Sequence, residues 1–271
     1  MLGRVADPAE INTSVPHPAR VYDYWLGGKD NFEADRQAAR AAIKIFPHTV
    51  QSAVACRAFL ARVVHYLAGE AGIRQFLDIG TGLPSGDNVH EVAQSAAPDS
   101  RIVYVDNDPI VLLHAETLLT SSAPGATAYL DADLRDTGRI LGEAARTLDF
   151  GQPVAVLLFA IMHFIPDAQD PADIVRTLMD PLPPGSYLAI GHHTADIHPE
   201  MEEFARHMSE RNPEFRATLR SRAQVTGFFD GLELVPPGVV QISKWRPRSD
   251  LEAQAQAQAA LWGGVARKPG S

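Results

Sequence analysis

One stretch constrains the fold more than any other part of the chain. Gln75–Asn88 reads Gln-Phe-Leu-Asp-Ile-Gly-Thr-Gly-Leu-Pro-Ser-Gly-Asp-Asn. Phe76, Leu77 and Ile79 form a short apolar run that stops at glycines, the pattern of a buried strand entering a tight turn. Gly80 and Gly82 lack a β-carbon, so the backbone there can adopt positive φ and come close to a ligand. From Asp87 to Ala97 the composition is helical, with Val89, Val92, Ala93 and Ala96 at helical spacing. A strand, a glycine turn and a helix, with Asp78 just before the turn, make a unit that binds a nucleotide-like ligand at the carboxyl end of a parallel strand.

The rest of the chain supplies the partners such a strand needs. Ile102–Val105, ending at Asp106-Asn107-Asp108, predicts a second strand. Pro109, with Asp108 as cap, opens a helix carrying Ile110, Val111, Leu113, Leu118 and Leu119. Ala126–Leu130 predicts a third strand, ending at Asp131-Ala132-Asp133, and Ile140–Leu148 a helix. Val154–Phe159 is the most apolar strand and therefore central, because a strand covered on both faces loses its polar alternation. Pro171–Met179 predicts a helix and Tyr187–Ile190 a strand. Glu200–Thr226 reads as a long polar helical region broken at Pro213. Leu232–Val235, Val239–Ser243 and Leu261–Ala266 are further short strands, and Ala253–Ala259 is a solvated loop or helix. This alternation predicts an α/β fold with a doubly wound, mostly parallel sheet. Ahead of it, helices are expected from Arg20 to a stop at Gly27-Gly28, over Glu33–Lys44 and over Thr49–Ala68, placing residues 18–70 beside or over the site.

Composition narrows the partners. With 271 residues, 45% of them hydrophobic, the chain can bury one large core. A net charge of −9 argues against a nucleic-acid partner, which would need a positive patch. The single cysteine, Cys56, excludes an intrachain disulfide and a cysteine metal cluster. No apolar run has the length of a membrane span, and residues 1–18 are unlike a secretion signal, so a soluble cytoplasmic protein is expected.

Three of these segments, Phe76–Gly82, Val103–Asp106 and Asp131–Asp133, resemble the first three motifs of class I S-adenosylmethionine-dependent methyltransferases. The longer pattern is narrower. Ala19–Phe32, Asp106–Pro109 and Val265–Pro269 resemble an actinobacterial methyltransferase family long catalogued as a domain of unknown function, over about residues 16–269. The resemblance implies a Rossmann-like sheet of seven strands whose last strand is antiparallel, with an N-terminal helical extension. It implies residues 1–70 as a helical cap packed on the site and 71–271 as the cofactor-binding domain, one compact unit overall. It implies S-adenosylmethionine as cofactor and names no acceptor.

Site residues follow from the chemistry of that cofactor. Asp78 can receive the methionine ammonium, directly or through water, and the turn at Gly80, Thr81 and Gly82 lets the amino-acid portion approach. Amides near Gly86–Asn88, at the start of the next helix, can face its carboxylate. Asp106 can accept both ribose hydroxyls. Asn107 can line the adenine edge, and Asp133 or Asp131 can accept the adenine amino group, beside the amide of Leu134 or Ala132. Each aspartate alone could be a solvated strand end; three successive strand ends together favour binding. Tyr22, Tyr24 and Trp25 are either ordinary core or, with Gly28 and Asn31, a segment covering the cofactor, where aromatic faces would stabilise a sulfonium.

His163, after the central strand, is the candidate base, and His192-His193 end the next strand; each could instead be a hydrogen-bonded core histidine. His192, His193 and His198 match no strong metal motif, and no metal is expected. Substrate shape is expected to be decided by Arg206–Arg222 and Trp245-Arg246-Pro247, around a small-molecule acceptor. Two other classes remain open: a cofactor-binding sensor without catalysis, and a nicotinamide-dependent oxidoreductase. Against the latter, serine replaces the third glycine of the fingerprint, and Asp78 would repel a pyrophosphate.

Overall fold

In the computed structural model residues 12–111 and 125–270 are described. Five parallel strands form the centre of the sheet: β1 (Gln75–Ile79), β2 (Arg101–Asp106), β3 (Ala126–Asp131), β4 (Ala155–Phe159) and β5 (Tyr187–His193). Their order is β3-β2-β1-β4-β5, and the C-terminal strand β8 (Leu261–Arg267) pairs antiparallel with β5. Two short strands, β6 (Glu233–Leu234) and β7 (Val240–Gln241), pair with the other edge of β8. Among the described residues the sheet thus has eight strands where the resemblance implied seven, and β6 and β7, within the two short segments expected as strands, are two residues each. β1 and β4 are buried at every position, which is why they read as unbroken apolar runs.

Two cores sandwich the sheet. On one face Leu77, Val103, Val156 and Leu188 pack against α5 (Thr137–Ala144) and α6 (Pro171–Met179) through Ile140 and Leu178. On the other, Phe76, Ile102, Leu157 and Ala189 pack against α3 (Thr49–His65) through Phe59, Val63 and Val64. Gly263 of β8 makes this closeness possible, since a β-carbon there would lie 2.4 Å from the Phe59 ring. Helices α1 (Pro18–Trp25) and α2 (Glu33–Ile45) pack on each other and, through Val21, Ala38, Ala39 and Ala42, on Met208 of α7 (Glu200–Arg211).

Asp108 caps the chain after β2, its Oδ1 accepting the Ile110 N–H at 2.9 Å, and Pro109–Val111 begin a helix. Leu113, Leu118 and Leu119 lie outside the described residues. The long helical region expected over Glu200–Thr226 is interrupted more than foreseen. It comprises α7, a single turn at Pro213–Phe215, extended chain, and the short α8 (Arg222–Gly227). Within Ala253–Ala259 the chain is helical only at its start, in α9 (Asp250–Ala255). Among the described residues no helix is long and apolar enough to cross a membrane.

Candidate functional site

The carboxyl ends of β1, β2 and β3 are in register, with Ile79 opposite Val105 and Asp106 opposite Asp131, so the acidic residues after them reach one rim. Above that rim is a cavity of about 760 Å³, lined among others by Asp78, Gly80, Thr81, Gly82, Asp106, Asn107, Asp133 and Leu134. Asp131 is exposed and is not among the lining residues, which separates it from Asp133. Asp78 accepts the Thr81 hydroxyl at 2.7 Å and is 4% exposed. Burial raises its pKa to about 6, against the pull of the Thr81 hydrogen bond and the charge of Arg57.

Asp106 braces the turn itself. Its Oδ2 accepts the Gly82 N–H at 2.8 Å and its Oδ1 the Asp108 N–H at 3.0 Å. Burial holds this carboxyl above its ordinary range, although both amides pull it down. Each oxygen keeps a second lone pair for a ligand hydroxyl. Gly80 and Gly82 both have positive φ, +75° and +67°, but for different surroundings. A β-carbon on Gly80 would lie 2.6 Å from Ile161, whereas Gly82 has nothing within 4 Å and leaves open space above the turn. The Ala132 amide, one candidate for adenine, already donates to the Asp106 carbonyl at 3.1 Å. Asp133 is held by the side chain of Arg135, which also lines the cavity, at 2.9 Å.

Helices build the opposite wall. Thr49, Ser52, Ala53, Cys56, Arg57 and Leu60 of α3 line the cavity at helical spacing while Phe59 and Val63 face the sheet. Met201, Phe204, Ala205 and Met208 form the matching stripe on α7. Arg57 did not figure in the sequence reading. Among the described residues its Nε is buried without a hydrogen-bond partner, and its Nη2 makes only long contacts, 3.4 Å each, to the Gly86 carbonyl and Asn88 Oδ1. The N-terminal segment contributes His17, whose Nδ1 lies 2.8 Å from Asp108 Oδ2. Burial opposes a charged ring there, but the hydrogen bond and charge of Asp108 outweigh it and raise the His17 pKa.

The histidines divide by role. His192 is fully buried. Its Nε2 lies 3.0 Å from Arg220 Nη1, so it must accept, which leaves Nδ1 to donate to the His193 carbonyl at 2.8 Å. Arg220 also holds the Met162 and Ile165 carbonyls, fixing the turn that carries His163. His163 and His193 both line the cavity, their rings 4.8 Å apart and perpendicular. The Nδ1 of each is buried without a hydrogen-bond partner among the described residues. Burial lowers the pKa of both, that of His193 to about 4, and the nearby histidines and Arg220 add to the effect at His163.

A family model described as S-adenosyl methyltransferase matches residues 4–269. This chain belongs to that S-adenosyl methyltransferase family. It is 48% identical to a DUF574 family protein from Streptomyces avermitilis, with a TM-score of 0.91 over 95% of this chain and 99% of that one. It is 41% identical to a candidate methyltransferase from Thermobifida fusca, with a TM-score of 0.89 over 98% and 100% of the two chains. The plantazolicin methyltransferase BpumL, solved in complex with a desmethyl-plantazolicin analogue and SAH, shares the fold at 12% identity. That likeness has a TM-score of 0.51 over 93% of this chain and 95% of the other. A search of curated proteins gives no match. The enzyme is thus an S-adenosylmethionine-dependent methyltransferase by family and fold.

Four residues expected at the cofactor do not line this methyltransferase's cavity: Tyr24, Gly28, Asn31 and Asn88. Tyr22 lines it in place of Tyr24, because two residues along a helix put a side chain on the opposite side. Gly28 and Asn31 instead close the turn after α1. Asn31 Nδ2 donates to Asp23 Oδ2 at 2.7 Å, and a β-carbon on Gly28 would collide with that carboxylate. Asn88 caps α4 (Val89–Ala96), its Oδ1 accepting the Ser85 N–H at 3.1 Å and its own N–H donating to Glu91. Trp245, expected to shape the substrate, is fully buried against Phe59 and Tyr66. Among the described residues no group of three or more His, Cys, Asp or Glu is arranged to hold a metal ion.

Proposed function

We propose that this methyltransferase acts on a small-molecule acceptor, holding S-adenosylmethionine over the ends of β1–β3 and the acceptor over the ends of β4 and β5. The observation that carries the reading is one continuous cavity whose lining runs from Asp78, Asp106 and Asp133 to His163 and His193. Its size, about 760 Å³, is in the range of small-ligand sites. The residues fit the cofactor's groups. Asp78 suits the ammonium, the free lone pairs of Asp106 the ribose diol, and Asp133 with Asn107 the adenine edge. Arg57, whose Nε has no hydrogen-bond partner among the described residues, would supply the cation that the amino-acid carboxylate needs, close to Gly86–Asn88.

S-adenosylmethionine, when bound, supplies an electrophilic methyl group and a neutral leaving group. What remains for the protein is to orient the acceptor, exclude water and accept a proton where the acceptor must lose one. The apolar stripes of α3 and α7 serve the first two tasks, and His163, neutral at physiological pH, the third.

Titration calorimetry with S-adenosylmethionine and 5′-methylthioadenosine, which lacks the amino-acid portion, tests the assignment. Asp106→Asn is expected to weaken both ligands, and Arg57→Gln only the first, each by about 10- to 100-fold, the range for hydrogen bonds to charged groups. Unchanged binding in Asp106→Asn would remove the ribose assignment. Equal losses for both ligands in Arg57→Gln would remove the carboxylate one.

A further inference from the structure

The acceptor end of the cavity has a chemistry of its own. Beyond the nucleoside side, its walls are Trp25, Phe46 and Phe204, with ring centroids 6.2 Å apart for Trp25–Phe204 and 6.3 Å for Phe46–Phe204. Met201, Met208 and Leu219 fill between them. The four carboxylates among the described lining residues are elsewhere. Asp78, Asp106 and Asp133 follow β1–β3, and Glu214 faces His17, which is bound to Asp108 at the β2 end. A cationic amine would therefore meet no counter-charge over β4 and β5, and burying it unpaired would be costly.

Thr49 and Ser52 also line the cavity, but their hydroxyls are engaged by the Phe46 carbonyl and the Ala260 N–H, which leaves the imidazoles of His163 and His193 to break the apolar surface. His163 is 6% exposed, and its Nδ1 is buried with no hydrogen-bond partner among the described residues, so one buried polar atom of the ring is unmet. Its position is fixed from behind: Thr218 N–H donates to the His163 carbonyl at 2.7 Å, and Arg220 clamps the turn. A ring held this firmly with an unmet nitrogen is set to meet a ligand group.

We infer that the acceptor is a flat aromatic molecule bearing a weakly acidic hydroxyl, stacked among Trp25, Phe46 and Phe204 with its O–H donating to a ring nitrogen of His163. The inference rests on the methyl-transfer reading above and adds the acceptor's class to it. An acidic hydroxyl suits the site better than an aliphatic alcohol. His163 is a weak base, because burial and the neighbouring His193, His192 and Arg220 all disfavour its charged form. A weak base takes a proton only from a group that releases it readily. The bound sulfonium would favour the same acceptor, since it stabilises a developing phenolate.

Binding, measured without turnover, tests this. The full chain saturated with S-adenosylhomocysteine is dialysed against 4-nitrophenol, nitrobenzene or benzylamine at a pH where the phenol is un-ionised. In the wild type 4-nitrophenol is expected to bind about tenfold tighter than nitrobenzene, the worth of one buried hydrogen bond, and benzylamine weakest. His163→Phe is expected to abolish the tenfold difference while leaving nitrobenzene and S-adenosylhomocysteine affinities unchanged. His163→Leu repeats the test if the larger ring disturbs folding. Equal binding of the two nitro compounds by the wild type would overturn the inference, as would a difference that survives both substitutions or a preference for benzylamine. Failure to bind S-adenosylhomocysteine at all would instead refute the cofactor reading, and this inference with it.

Discussion

Asp78 is buried at the end of β1 with one hydroxyl donor, Thr81, and its pKa is raised to about 6 chiefly by desolvation. The sign of the consequence follows from linkage. The folded state binds a proton more tightly than the unfolded chain between about pH 4 and 6, so ionised Asp78 costs the ligand-free protein stability above pH 6. That cost disappears as the pH falls toward 4. A cofactor ammonium reverses the balance by pairing with the ionised form. Asp78→Asn is therefore expected to raise the ligand-free melting temperature at pH 7.5 while weakening S-adenosylmethionine at least about tenfold. In the wild type, affinity should fall as the pH drops below 6, and the variant should be flat there. Calorimetry across pH 5–8 checks this, and a variant with wild-type pH dependence would rule Asp78 out as the ammonium site. The place of Asp78 and Asp106 at the cavity rim was legible in the sequence, because a carboxylate after an apolar run, beside glycines, has few structural explanations. Gly28 and Asn31 do not line the cavity, because here the same residue types close a turn around Asp23. Arg57 was invisible because nothing in a helical sequence says what its arginine faces.

At the scale of elements, α3 has two duties. One side lines the cavity, and the other is the core helix of a sheet face, joined to the C-terminal part of the chain by Arg62. The Arg62 side chain is buried. It donates to the Trp245 carbonyl at 3.1 Å and the Ile242 carbonyl at 2.7 Å, and to Glu252 and Gln256 at 2.9 and 3.1 Å. Arg62→Met keeps most of the stem's packing but strands two carbonyls and a carboxylate, so a loss of about 3 kcal/mol is expected in urea denaturation. A loss under 1 kcal/mol would show that water replaces the guanidinium. This tie explains why Trp245 could not be read from sequence. A tryptophan beside arginine and proline suggests a surface, yet here its ring completes the packing on α3. The strands were legible because buried parallel strands are apolar throughout and end at turn residues. The stripe on α7 was hidden by surrounding charge, although Met201, Phe204, Ala205 and Met208 stand at spacings of three, four and seven.

For the molecule as a whole, the question is whether the N-terminal helices behave as a separable cap. The cavity needs both parts: α1 and α3 supply Tyr22, Trp25 and Arg57, the strand ends supply the carboxylates, and α7 lies against α2. Since Phe59, Val63 and Val64 share a core with β1, β4 and β5, unfolding residues 1–70 alone would strip α3 from that face of the sheet. We therefore expect one cooperative thermal transition without ligand, followed identically by near-ultraviolet dichroism and by fluorescence. A ligand that binds only the assembled cavity stabilises by RT ln(1 + [L]/Kd), about 2.7 kcal/mol at one hundred times Kd. For a chain of this size that moves the midpoint by about 5–10 °C. S-adenosylhomocysteine should shift the whole transition by that amount, because the cavity proposed to hold it is lined by both parts. If calorimetry resolved two transitions and the ligand moved only one, the helices would be an independent lid, and the shared core would not couple them to the sheet.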